Sequence, residues 1–396
     1  MRRKYIWIAM SVLSFLFLGG VAAYFKIHSL RLETDQEYEV SQDIDNSTVE
    51  EKIECLQADS IDFIYYEAIP ANWGANNKVG LYIYAENKQF FEKADELVNS
   101  NGGDWGYVLL PYNVKDYDQS KWQAVFERLN DRHLIPVVQL WGLDKESYPQ
   151  DTREAARFLN SFAWPIRYKY ISVYNEPNSA DFWFAPPDPA EYARVLDFTI
   201  RTFKEENPDF FVMNGAFNVS APTNSSYIDS FVFMRRMNQE IGGIFEKLDG
   251  WASHPYPQPN FAGSPDAKGR WSIRAYEAEL EYLKNTIGVT KTLPVFITET
   301  GWAHAEGTNY NSTYLPVDTV SDYFVRAFNE VWLKDDRVRA VMPFTVRYGA
   351  PHDHFSWLND DYVPYKHFDA VKQIKKVKGE PPILKSSRIN VGGCEL

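Results

Sequence analysis

The stretch KYISVYNEPN, residues 169–178, is an apolar run that stops on Asn175, Glu176 and Pro177. Tyr170, Ile171 and Val173 suit a strand buried on both faces, whereas Pro177 has no amide proton to continue a ladder. A buried strand that ends this way sets a carboxylate at the rim of a sheet. The pattern recurs in LPVFITET, residues 293–300, where the apolar run meets Glu299. Outward from these two lie VGLYIYA (79–85), WGYVLLPY (105–112), IPVVQLWG (135–142), FFVMNGAFN (210–218), GWASHPY (250–256) and RAVMPFTVRY (339–348). Stretches with apolar residues near helical spacing separate them, such as QSKWQAVFERLNDRH and PAEYARVLDFTIRTFKEEN. This alternation predicts parallel strands with helical crossovers, an α/β fold of the (β/α)8 barrel type over residues 76–378. An open doubly wound sheet fits less well, because no strand runs into a glycine-rich phosphate turn.

The flanks read differently. Arg2, Arg3 and Lys4 precede an uncharged run from Tyr5 to Phe25, long enough at helical rise to cross a hydrocarbon core of about 30 Å. Residues 1–25 therefore predict a membrane-spanning signal anchor, with the remainder extracytoplasmic. Cleavage near Val21-Ala22-Ala23 would instead release a secreted protein. Residues 26–75 are rich in acids and read as a linker and lead-in, and residues 379–396 as an irregular tail. Cys55 and Cys394 flank the barrel and could be joined in an oxidising compartment or remain free thiols.

A formal net charge of −13 argues against nucleic acid as a partner, since phosphate binding needs a clustered positive field. The aromatic share of 16% exceeds what a core alone needs, so some rings should line a surface or cleft that takes flat-faced ligands.

In a closed barrel the C-terminal strand ends share one face, which carries the active site. Glu176 ends the fourth strand and Glu299 the seventh, so the two acids should face each other across the mouth. Paired carboxylates are what glycosidic bond cleavage requires: one protonates the leaving oxygen while the other attacks or supports the anomeric carbon. Taken singly, Glu176 is also explained as an acid at a helix start behind Asn175, and Glu299 as a turn carboxylate ahead of Gly301.

YNEPN at the end of the fourth strand, HPY at the end of the sixth and ITETGW at the end of the seventh resemble the retaining glycoside hydrolases of clan A. The likeness covers the repeat region. It implies that Glu176 is the general acid/base, that Glu299 is the nucleophile and that Asn175 binds the sugar 2-hydroxyl. Tyr256, or else His254, would contact the nucleophile. Two positions depart from the clan's pattern: Leu110-Pro111-Tyr112 stands where many members have an Arg, and Phe344 where they have a Trp.

Trp141, Trp302, Trp183, Phe184 and Tyr348 are candidate sugar-stacking platforms. His352-Asp353-His354, with His304, invites a metal reading, but no catalytic zinc spacing is present, and neither metal nor cofactor is expected. The expectation is a retaining hydrolase of a β-linked oligo- or polysaccharide, with a non-catalytic carbohydrate-binding scaffold on the same barrel as the alternative.

Overall fold

The computed structural model describes residues 61–66 and 74–389, apart from residues 85, 184–185 and 310. The expected anchor, most of the acidic linker and both cysteines lie outside the described residues. Among the described residues no helix is long and apolar enough to cross a membrane.

The described strands are β1 (Ile61–Tyr66), β2 (Gly80–Tyr82), β3 (Gly106–Asn113), β4 (Leu134–Trp141), β5 (Lys169–Val173), β6 (Phe210–Asn214), β7 (Trp251–Ser253), β8 (Val295–Ile297), β9 (Val338–Val341) and β10 (Leu384–Ile389). β2 to β6 form a parallel sheet in chain order, and β7 to β9 form a second. Parallel bridges between Met213 and Gly250 and between Val79 and Val341 stitch the two arcs into a ring. Each of the eight segments expected to be strands supplies one strand of that ring.

The ring needs both faces of every strand buried, which explains why the strands are apolar almost throughout. Tyr107 and Leu109 of β3 pack inward with Tyr170, Phe211 and Phe296. Val108 and Leu110 face the helices. The helices start where the sequence supplies caps: the Asp118 carboxylate accepts from the Lys121 amide at 3.0 Å ahead of helix Gln119–Asp131. Asp188 caps helix Pro189–Glu206 in the same way, with Pro189 pre-set for its first turn.

The chain ends correct the reading of the flanks. β1 pairs antiparallel with β10, from Ile61 opposite Ile389 to Tyr66 opposite Leu384. The lead-in (26–75) and the tail (379–396) thus contribute a strand each. A pairing between segments so far apart in sequence leaves no local period to read, and a strand such as LKSSRI takes its conformation from its partner.

Candidate active site

β5 stops at Val173 because the backbone turns left-handed, with φ of 68° at Tyr174 and 35° at Glu176. Side-chain-bearing residues seldom adopt this region, and such strain collects where a site needs a particular orientation. The neighbouring strand holds the turn. The Glu176 amide donates to the Ala216 carbonyl at 3.0 Å, and the Tyr192 hydroxyl donates to the Val173 carbonyl while accepting from the Gly215 amide at 2.6 Å. Gly215 permits the approach, since a Cβ there would lie 2.5 Å from the Val173 carbonyl oxygen. The strand ends in an acid because this turn rotates Glu176 into the mouth of the barrel.

Glu299 arrives from β8 through a comparable clasp. The Thr298 amide donates to the Ser253 carbonyl at 3.1 Å and the Thr300 hydroxyl to the Pro255 carbonyl at 2.8 Å. Both bonds tie β8 to β7 and its exit, the segment that supplies His254 and Tyr256.

The mouth is a cavity of about 830 Å³ lined by Asn175, Glu176, Tyr256 and Glu299. Around them stand the rings of Tyr82, Tyr84, Trp141, Phe182, Tyr227, Phe261, Phe344, Tyr348 and Phe355. His254 lies behind the two acids, 2% exposed. Its Nδ1 is 3.1 Å from Glu176 Oε1 and 3.8 Å from Glu299 Oε2. The Tyr256 hydroxyl donates to Glu299 Oε2 at 3.1 Å. One atom each of Glu176, His254 and Glu299 lie within 4.8 Å of one another.

Burial pushes the Glu299 carboxyl up to about 7, with the His254 charge opposing, the Glu176 charge adding and the Tyr256 hydrogen bond opposing. Burial works against a charge on His254, but Glu299 and Glu176 outweigh it and the imidazole titrates above its ordinary value. Burial, reinforced by both acids, holds the Tyr256 phenol well above its usual range, so it stays a neutral donor.

Asn175 is oriented by a relay: Trp141 Nε1 donates to Gln139 Oε1 at 2.8 Å, and Gln139 Nε2 donates to Asn175 Oδ1 at 3.0 Å. Gln139, fully buried in an apolar strand, is a functional neighbour that sequence reading missed; a lone amide within VVQLW was the available signal. Tyr82 and Tyr84 were also missed, although both lie within the first expected strand, 79–85. Tyr227, Phe261 and Phe355 come from loops, where no period marks which ring faces inward.

Of the expected platforms, Trp141 and Tyr348 line the cavity. Trp302 and Trp183 do not, and this corrects their assignment to the substrate. Trp302 is 1% exposed, packs against Tyr323 and Phe324, and donates to the Gly263 carbonyl at 2.7 Å. Trp183 is equally buried and donates to Glu191 Oε2 at 2.9 Å. Each ring follows the barrel rim in sequence but turns back into the helix layer. Phe184 falls outside the described residues.

The histidine loop also divides. His352 lines the cavity, whereas His354 Nδ1 sits 2.9 Å from the His304 carbonyl and His304 Nε2 2.9 Å from the Ser356 carbonyl. Among the described residues the one set of His, Cys, Asp and Glu compact enough to share an ion is Glu176, His254 and Glu299.

No protein-family model matches the chain, and no curated protein matches it either. Solved structures do. A GH128 (subgroup II) endo-beta-1,3-glucanase from Pseudomonas viridiflava superposes with a TM-score of 0.50 at 14% identity, over 76% of this chain and 98% of the other. A glucosidase from Croceicoccus marinus superposes with a TM-score of 0.54 at 11% identity, over 81% and 72%. A Bacteroides uniformis beta-glucuronidase gives a TM-score of 0.50 at 11% identity over 78% of this chain, which spans only 37% of that enzyme. At these identities the likeness is one of fold: the barrel is shared with glycoside hydrolases.

Proposed function

We propose that the protein is a retaining glycoside hydrolase that cleaves β-linked bonds in an oligo- or polysaccharide by double displacement. The observation that carries this reading is the approach of Glu176 and Glu299 to within 4.8 Å, backed by His254, at one open cavity that both acids line. Carboxyl groups about 5–5.5 Å apart serve a covalent glycosyl intermediate, whereas inversion needs roughly 6.5–9.5 Å to admit a water.

On this reading Glu299 attacks the anomeric carbon and Glu176 protonates the departing oxygen, then withdraws a proton from the incoming water. Asn175, held through its Oδ1, has its amide Nδ2 left to donate to the sugar. Burial raises the Glu299 carboxyl, the reverse of what attack requires. The Tyr256 hydroxyl and the His254 charge favour ionised Glu299, and positive charge developing on the sugar ring adds to them. The N-terminal run of residues 5–25 supports an extracytoplasmic setting, anchored to a membrane or released from it.

The test is to follow the first-formed anomer by proton NMR on a cleaved β-glycan, and to trap the intermediate with a 2-deoxy-2-fluoro glycosyl fluoride. Retention, with mass added at Glu299, is the expected result. Inversion, or label on any other residue, overturns the assignment, and binding without cleavage favours the scaffold.

A further inference from the structure

We infer that the cleft accepts glycan units bearing no carboxylate or sulfate and turns away uronate-containing chains. The inference rests on the hydrolase reading for where the sugar sits, but its own ground is the charge of the cavity wall. Glu176, Asp181 and Glu299 all line the cavity, and among its described lining residues none is Lys or Arg. Cations close to the mouth in sequence are turned away from it. Arg347, next to the lining residue Tyr348, pairs with Asp360 at 2.8 Å and lies over the Tyr362 ring. Lys145, in the loop after β4, pairs with Glu191.

A sugar carboxylate is recognised by a charged donor, best a bidentate guanidinium. Here it would find no such donor and would face Asp181 together with the Glu176–Glu299 pair, of which the reaction needs one carboxyl ionised, inside aromatic walls that lower the local dielectric. The donors that remain, the amides of Asn175 and Gln258, the His352 imidazole and the hydroxyls of Tyr82, Tyr84 and Tyr348 among them, suit sugar hydroxyls. Asp181 accepts from the Tyr227 hydroxyl at 3.1 Å, a contact that fixes its side chain at the wall.

The experiment titrates the full chain calorimetrically with matched soluble β-linked oligosaccharides, one panel neutral and one containing uronates, at pH 7 in 50 and 500 mM NaCl. The expected result is saturable binding from the neutral panel, with Kd changing less than about twofold with salt. Uronates should bind at least about tenfold more weakly and gain as salt screens the repulsion. Asp181→Lys should narrow the uronate-to-neutral affinity ratio about fivefold. A uronate that binds more tightly than every neutral ligand and weakens with salt overturns the inference, as does a ratio unmoved by Asp181→Lys. The two readings fail separately: cleavage of a uronate chain with retention sinks this one alone, and neutral binding without bond cleavage sinks only the hydrolase.

Discussion

At the floor of the barrel, Trp105, Tyr107 and Tyr170 leave a void of about 10 Å³, whereas at the mouth Tyr82, Trp141 and Tyr348 surround about 830 Å³. Both ends are rich in aromatic residues. At the floor the rings interlock, with Tyr170 4.9 Å from Phe296 and 5.1 Å from Phe211, so their area goes to the core. At the mouth neighbouring rings also touch, Tyr84 4.7 Å from Tyr348 and Tyr82 5.0 Å from Phe344, but they encircle an open space that holds the carboxylates instead of filling it. Aromatic abundance alone therefore distinguishes neither a plug from a platform nor a stabilising residue from a binding one. Position along the strand does.

The sharpest break in the comparison should come from the acids. Glu176→Gln and Glu299→Gln are each expected to lower kcat at least about 10³-fold while thermal unfolding stays near that of the wild type. Retained activity in both would remove the mouth's claim to chemistry. Next comes Trp302→Ala, which empties a buried site and should cost about 3–5 kcal/mol in urea unfolding, the behaviour of a core residue. A pure affinity loss with unchanged stability would return Trp302 to the substrate.

Glu279 sharpens the contrast from a third position, the helix layer behind β7. It is fully buried, accepts a hydrogen bond from the Ser253 hydroxyl, and is pushed by burial up to about 7. An unfolded Glu titrates near 4.3, so the native state holds this proton longer and stability falls as pH rises from about 4.3 to 7. Glu279→Gln should remove that slope, gaining on the wild type by on the order of 3 kcal/mol when unfolding midpoints are compared at pH 8 and pH 4. Parallel pH profiles for the two proteins would refute the raised value.

Smaller effects follow at the mouth. Tyr256→Phe deletes one preorganised donor to Glu299 and should lower kcat about 10²-fold with KM little changed, as read from single-turnover kinetics. Trp141→Ala should raise KM by up to about tenfold through lost stacking, and Asn175 loses its relay at the same time. If Trp141→Ala instead lowered stability as much as Trp302→Ala, the difference between the two tryptophans would vanish.

What was legible in the sequence follows the same division. Strands buried on both faces announce themselves as apolar runs, and every strand of the ring was located by that signal. The two acids were legible because each interrupts such a run at its end. Ring direction beyond the strand ends was not: Trp302 and Trp183 follow the rim but fold back, while Phe261 and Phe355 arrive from loops and face in. The β1–β10 pair escaped because its partners meet only through the folded chain. Gln139 was missed too, although a buried strand does not carry such a polar residue without a partner.

The path of the chain under the floor has a practical consequence. Glu380 bonds through its amide to the Ala75 carbonyl, and Arg167 through its amide to the Pro382 carbonyl, so the chain enters and leaves the ring at the pole opposite the opening. A label attached at Ile383, which is exposed on that pole, leaves the opening clear for long polymers.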